Sequence, residues 1–171
     1  MLFLKLLQSL VRALNSDGTP GQVAAGIALG AVLGLTPLLN LHNLLAFAIA
    51  MVLNLSFPGF LLGWFAFVPV GFVLDPVFDA IGTALLTNVP ALQPLWTALY
   101  NVPVAPLTNF NNTVVLGSVV SWVVLSLPIF FAARWAVTRY RATVYQRLQT
   151  TRAFQVVKAS KVYNVYRLLR P

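Results

Sequence analysis

The chain has 171 residues, of which 59% are hydrophobic and only 8% are charged, and its formal net charge is +8. Soluble domains carry about a quarter charged residues, so this composition predicts an integral membrane protein. Cysteine is absent, which excludes disulfides, thiolate catalysis and cysteine-ligated zinc.

The basic residues are concentrated at the two ends of the chain. Lys5 and Arg12 lie near the start and the other nine lie from Arg134 onward, whereas the charged residues between Arg12 and Arg134 are Asp17, Asp75 and Asp79. By the positive-inside rule both termini are predicted to be cytoplasmic, which requires an even number of crossings. Nucleic acid is not an expected partner, because the basic groups do not lie on a soluble fold.

Residues 1–15 are predicted to form an interfacial amphipathic helix. Apolar side chains recur there at helical spacing while Lys5 and Arg12 fall on the other side, which favours a helix lying flat on the cytoplasmic leaflet. No small-residue cleavage site follows, so the segment does not resemble a signal peptide. A turn comes next, with Thr19 or Asp17 as the expected cap of a new helix.

A polar break at residues 36–43 interrupts a long apolar block, and it contains Pro37, Asn40, His42 and Asn43. The apolar arms on either side, residues 21–35 and 44–57, are each about 15 residues long, whereas a full crossing needs about 20. We therefore predict a re-entrant hairpin that enters and leaves the membrane on one side. The competing interpretation is one tilted crossing for each arm, with the polar break at the surface.

The first arm also carries a ladder of small residues. Gly26, Gly30 and Gly34 recur every four residues, which places them on one face of a helix. In membranes such a strip lets another backbone approach closely. We predict a helix-packing surface.

The membrane domain, which we place at residues 16–133, contains two expected crossings. The first covers residues 59–74 and ends before Asp75-Pro76, an arrangement typical of an N-cap followed by the first position of a new helix. Four prolines, from Pro90 to Pro106 inclusive, prevent a regular crossing in that region. Residues 113–133 are the clearest transmembrane helix.

Residues 134–171 contain nine basic residues and no acidic one. An apolar stripe at helical spacing predicts an amphipathic cytoplasmic helix on the anionic leaflet, where a basic residue contributes up to about 1 kcal/mol. The alternative is that these charges only signal topology, and we expect both effects. The residues expected to contact anionic lipid are Arg134, Arg139, Arg141, Arg147, Arg152, Lys158 and Lys161.

The polar break has a second copy 69 residues later. Residues 37–43 and 106–112 both follow the pattern Pro-Leu-x-Asn-apolar-His/Asn-Asn, and each precedes an apolar helix. If one crossing separates them, the second segment opens to the opposite side, which makes an inverted repeat. Matched broken segments of this kind predict a path for lipid or another substrate along Pro37, Asn40, His42, Asn43, Pro106, Asn109, Asn111 and Asn112.

Three side chains are candidates for ionisable sites. His42 is either a proton-linked or head-group contact, or a hydrogen-bonded residue that satisfies the broken backbone. Its counterpart in the second copy is Asn111, which cannot titrate and so argues against obligatory proton chemistry. We expect Asp75 to act as a helix cap, whereas Asp79 is either exposed to water or part of a cation or proton site.

The sequence contains no enzyme signature. A serine–histidine–acid arrangement, a glycine loop for phosphate and a cluster of metal ligands are all missing, and one histidine with three aspartates leaves little for hydrolytic or transferase chemistry. We predict a protein that is not an enzyme and that uses no metal or cofactor.

Five stretches carry a resemblance to a known family: residues 35–44, 74–76, 95–101, 109–113 and 158–161. With them the chain resembles a family of small uncharacterised bacterial inner-membrane proteins that is related to a domain of unknown function. That family is distantly similar to the DedA/VTT superfamily. The resemblance implies two inverted re-entrant hairpins with crossing helices, the fold of lipid flippases and scramblases. Some relatives work beside bridge-like lipid-transfer proteins.

This sequence departs from DedA proteins because its re-entrant segments lack acidic residues and arginine. The departure disfavours proton-coupled flipping and favours passive scrambling or a docking role. We therefore expect an inner-membrane lipid-handling subunit that contacts phospholipids and a larger, periplasm-spanning lipid-transfer protein. One alternative is a non-catalytic membrane anchor for a partner protein. Another is a small proton- or ion-coupled transporter centred on His42 and Asp79.

Overall fold

Five α-helices make up most of the described chain, which comprises residues 18–145 of a computed structural model. Within these residues the structure is all-helical and contains no strand, which confirms the all-α part of the predicted fold. The interfacial helix expected at residues 1–15 lies outside the described part, as do Arg147, Arg152, Lys158 and Lys161. The helices are α1 (Pro20–Leu35), α2 (Leu41–Val52), α3 (Phe57–Thr87), α4 (Gln93–Tyr100) and α5 (Thr113–Tyr140).

Helices α1 and α2 form a hairpin in which the end of α2 lies beside the start of α1. Thr19 caps α1 through a reciprocal pair of hydrogen bonds with Gln22, at 3.2 Å and 2.7 Å. The helix stops before Pro37 because a residue that precedes proline is driven to an extended conformation, and Thr36 adopts one. After α2 the Ser56 N–H donates to the Gln22 carbonyl at 3.2 Å. The chain therefore returns to the end at which the hairpin began.

Helix α1 runs parallel to the first half of α3, and glycine allows their backbones to touch. A β-carbon on Gly26 would lie 2.9 Å from the Phe60 nitrogen, and one on Gly34 would lie 2.6 Å from the Trp64 oxygen. Such distances are shorter than real β-carbons show, so only glycine fits. Helix α3 contributes glycines of its own to this contact, at Gly59, Gly63 and Gly71.

Helix α3 is continuous for 31 residues and includes Pro69 and Pro76. The predicted end of a crossing at residue 74 is therefore wrong, and so is the role of Asp75 as a helix cap. Each proline removes one backbone hydrogen bond. Ending the helix would leave many more backbone groups unsatisfied, and long apolar helices tolerate interior prolines where neighbouring helices and side chains satisfy the freed groups.

Helix α5 returns antiparallel to α3 and closes the bundle. A β-carbon on Gly82 of α3 would overlap the Thr113 carbonyl, and one on Gly117 of α5 would overlap that of Phe78. Further along α5, the Trp122 indole donates to the Ala28 carbonyl at 2.8 Å. Helix α5 continues seven residues past its predicted end at residue 133. Helices α3 and α5 are both long and apolar enough to cross a membrane.

Candidate functional site

The turn between α1 and α2 is held by a buried amide. Asn43 is 4% exposed, and its side-chain nitrogen donates to the Pro37 carbonyl at 2.7 Å and to the Leu38 carbonyl at 3.3 Å. Its side-chain oxygen accepts from the Thr36 hydroxyl at 2.9 Å. Asn40 adds a 2.6 Å hydrogen bond to the same Pro37 carbonyl. The two amides thus satisfy the backbone that the helix break leaves open.

The second polar copy has a different local structure. A short 3₁₀ helix, Ala105–Thr108, is followed by Asn109 in the left-handed region, with φ 54°, a conformation that asparagine tolerates better than most residues. Asn112 caps α5 by accepting from the Val115 N–H at 3.1 Å. Trp96 of α4 stacks on Phe110, with ring centroids 6.1 Å apart. The first copy lies between α1, with 16 residues, and α2, with 12 residues. The second copy instead follows α4, which has only eight residues.

The two polar copies meet, and we call their contact the polar junction, made of residues 36–43 and 105–112. The Asn109 side-chain nitrogen donates to the Asn40 side-chain oxygen. His42 lies in the same junction, with its ring close to the backbone of Thr108. Asn40 and Asn109 occupy equivalent positions of the repeated pattern, and the contact between them joins two segments that are distant in sequence.

His42 has one polar atom that no protein group satisfies. Its Nε2 is shielded from solvent and has no hydrogen-bond partner within residues 18–145. A buried polar atom without a partner is rare and costly, so a water molecule or a ligand atom is the expected partner. The structure thus leaves the Nε2 position of His42 without a partner from residues 18–145.

The two aspartates of the described residues, Asp75 and Asp79, lie on α3, outside the amide contacts of the polar junction. The Thr113 hydroxyl donates to the Asp79 carboxylate at the first residue of α5, where the partial positive charge of a helix N-terminus favours a carboxylate. Asp75 instead lines a cavity of about 250 Å³ beside the turn of the hairpin. Residues 18–145 contain no group of three residues able to hold a metal ion.

The described arginines lie toward the opposite end of α5. Arg141 donates to the Gly18 carbonyl at 2.8 Å, which places the end of α5 beside the start of α1. The guanidinium of Arg139 lies 5.9 Å from the ring centroid of Trp135, within the range of a cation–π contact. Within residues 18–145, the arginines are therefore separated from Asp75 and Asp79 along the length of the bundle.

Two sets of residues at the site escaped the sequence analysis. Thr36 was part of the break but not a named candidate, although a hydroxyl beside a helix-ending proline is a signal for a turn. The matching glycines of α3 were also missed. Gly59, Gly63 and Gly71 are separated by multiples of four residues, which is the same signal as the ladder of α1.

A chemical cross-link would test the polar junction directly, because the chain has no native cysteine. We expect the pair Asn40→Cys with Asn109→Cys to react rapidly and in high yield with a short bifunctional thiol reagent, as seen by peptide mass spectrometry. Gly21→Cys with Asn109→Cys is the control, since Gly21 lies at the other end of α1, about 21 Å from Leu35. Equal yields for both pairs would contradict the contact.

The fold and the site define a class of protein, namely a helical bundle with two helices of membrane-spanning length around a junction of broken segments. The chain belongs to a bacterial family, because residues 5–145 match the family described as "Uncharacterized protein conserved in bacteria (DUF2062)". It is similar to an "Uncharacterized protein" of Treponema pallidum (strain Nichols), with 34% identity over 158 residues that cover 91% of this chain and 95% of that protein. No solved structure matches.

Proposed function

We propose that the protein is a lipid-handling subunit of the bacterial inner membrane, in which the polar junction gives phospholipid head groups a path between the leaflets. One observation carries the proposal: the two broken segments meet at Asn40 and Asn109, so their polar atoms form one site. The likeness to the DedA/VTT superfamily, which includes flippases and scramblases, is part of the same proposal.

The depth of the polar junction supports this function. Pro37 and Leu38 line a cavity together with residues 68–75 of α3, which lie near the middle of that helix. A helix of 31 residues is about 46 Å long. With α3 across the bilayer, its midpoint lies within the hydrocarbon core, which is about 30 Å thick. Polar groups held at that depth lower the cost of moving a head group through it.

Polar atoms on the outside of the second segment extend the path. Asn109, Asn111 and Asn112 are all exposed. The Asn111 amide, and the amide atoms of Asn109 and Asn112 that do not bond Asn40 and Val115, are available to a phosphate or glycerol group. His42 Nε2 is the further open position. Such amides bind a head group without fixing it by net charge, which favours passive movement in both directions.

The orientation of the bundle follows from its charges. Gly18 and Arg141 lie together, and the positive-inside rule assigns that end to the cytoplasm. The hairpin of α1 and α2 would then be re-entrant from the cytoplasmic side, and residues 88–112 would enter from the periplasmic side. A contact between equivalent residues is what an approximate two-fold axis produces, so the Asn40–Asn109 bond supports an inverted repeat. The proposed partner is a larger periplasm-spanning lipid-transfer protein.

Reconstitution tests this function. Liposomes that contain the protein and a fluorescent phospholipid are treated with a reductant that reaches only the outer leaflet. We expect nearly complete loss of signal with the protein and about half with protein-free vesicles. The double variant Asn40→Leu with Asn109→Leu should scramble at least about tenfold more slowly, equivalent to about 1.4 kcal/mol in the barrier.

Asn54→Leu is the matched control, because Asn54 is exposed and lies at the base of the hairpin. It should scramble at the rate of the wild type. Wild-type protein that leaves the inner leaflet fully protected would reject the proposal.

The second candidate function is a membrane anchor that does not move lipid, and the exposed apolar face of α2 favours it. The outward face of α2 leaves large apolar side chains uncovered, among them Leu44 (65% exposed) and Val52 (84% exposed), which suits either lipid or a partner helix. An anchor should purify with a partner in fixed stoichiometry. Variants of Asn40 and Asn109 would then reduce the amount of partner recovered, whereas the purified protein alone would not scramble lipid.

A further inference from the structure

A cavity of about 250 Å³ lies between the turn of the hairpin and the middle of α3. Its walls are mainly apolar and its one ionisable lining residue is a carboxylate. We call it the Asp75 cavity, and the side chains that the argument uses are Leu33, Leu35, Leu38, Val68, Phe72 and Asp75. Its volume is below that of a site for a whole drug-sized ligand, so it fits a small group attached to a larger molecule.

The carboxylate in this cavity has no counter-charge from residues 18–145. Within residues 18–145 Asp75 forms no ion pair and no side-chain hydrogen bond, and the sequence contains no lysine or arginine between Arg12 and Arg134. Asp75 lies twelve residues before the end of α3 at Thr87, about 18 Å along the helix axis. A carboxylate at such a depth is costly unless it is paired.

Asp79, one turn further along α3, provides an internal comparison. Its side chain is exposed and accepts a hydrogen bond from Thr113, the first residue of α5. Asp79 thus has a local structural role, whereas Asp75 has none. The difference favours a partner of Asp75 that lies outside residues 18–145.

We propose that the Asp75 cavity binds the primary ammonium group of an amine phospholipid, such as phosphatidylethanolamine. The ammonium group donates hydrogen bonds to the Asp75 carboxylate, and the acyl chains lie along the exposed apolar surface of Leu38 and Phe72. Charge complementarity selects this occupant over an anionic lipid such as phosphatidylglycerol. The inference deepens the proposed function, on which it rests, by naming the lipid class that the site prefers.

Native mass spectrometry of the full chain tests this site. The protein is mixed with equal amounts of phosphatidylethanolamine and phosphatidylglycerol that carry the same acyl chains, and the retained lipids are counted. We expect the wild type to prefer the amine lipid. Asp75→Asn should lower its retention about tenfold, as the loss of a charge-assisted hydrogen bond predicts, and should leave phosphatidylglycerol unchanged.

Two further variants separate charge from space. Asp79→Asn makes the same change one turn away and should leave the preference intact. Val68→Phe narrows the cavity without changing charge and should also reduce retention of the amine lipid. Equal retention of the two lipids by the wild type overturns the inference, and so does an unchanged preference in either Asp75→Asn or Val68→Phe.

The scrambling assay keeps this inference distinct from the proposed function. If the protein scrambles lipid but shows no preference for the amine lipid, the proposed function is supported and the assignment of the Asp75 cavity is wrong. If the protein prefers the amine lipid through Asp75 but does not scramble, it is a lipid-binding protein and the proposed path between the leaflets is wrong.

Discussion

Gly30→Ala is expected to destabilise the protein strongly, although alanine is the better helix former. A β-carbon at this position would overlap the Phe60 carbonyl and come within 2.9 Å of the Trp64 nitrogen. Both obstacles are backbone, so α1 and α3 must move apart, and overpacking of this kind costs about 1–3 kcal/mol. The measurement is the midpoint of unfolding in detergent, followed by size-exclusion profiles after heating.

Gly21→Ala is the matched control on the same helix. The nearest atom to a β-carbon there is the Thr19 hydroxyl at 3.8 Å, an ordinary contact. Because alanine gains about 1 kcal/mol of helix propensity over glycine, this variant should be as stable as the wild type or slightly more so. A Gly30→Ala protein with the same midpoint as Gly21→Ala would show that the two backbones are not in contact.

The local signals of the sequence located the first arm of the hairpin but not the second, because α2 covers Leu41–Val52 whereas the predicted arm covered residues 44–57. Thr36-Pro37 ends a helix by a steric effect that acts within two residues, and the observed α1 differs from the predicted arm by a single residue, Pro20. The same kind of signal failed at Asp75-Pro76. There the helix continues through the proline, because a break would leave several backbone groups unsatisfied whereas the proline removes only one hydrogen bond.

The polar junction was only half predictable. The repeated pattern identified Asn40 and Asn109 as equivalent residues, and this equivalence is a property of sequence alone. That they touch depends on how α3 and α5 place the second segment over the first, which no local pattern encodes. The same limit applies to the glycines: their spacing reveals a contact surface, but the pairing of Gly34 with Gly71 is set by the parallel course of α1 and α3.

Asn43→Leu is expected to open the turn of the hairpin. After Gly30→Ala, it is the second variant for which we expect a large loss of stability. The side chain is nearly the same size, so the change removes polar atoms rather than volume. The Leu38 carbonyl loses its side-chain donor and the Thr36 hydroxyl loses an acceptor. Leaving buried polar groups unsatisfied costs about 1–3 kcal/mol. The unfolding midpoint should fall, and cross-linking between cysteines at positions 40 and 109 should decrease with it.

Asn111→Leu separates this effect from a general need for asparagine in the polar junction. Asn111 is exposed and makes no side-chain hydrogen bond within residues 18–145, so its loss should leave the midpoint unchanged. Asn40 still donates to the Pro37 carbonyl in the Asn43→Leu protein, which should limit the damage to the turn and preserve the packing of α1 on α3. If Asn43→Leu and Asn111→Leu were equally stable, the buried amide would not hold the turn, and the Asn40–Asn109 contact would have to fix the hairpin by itself.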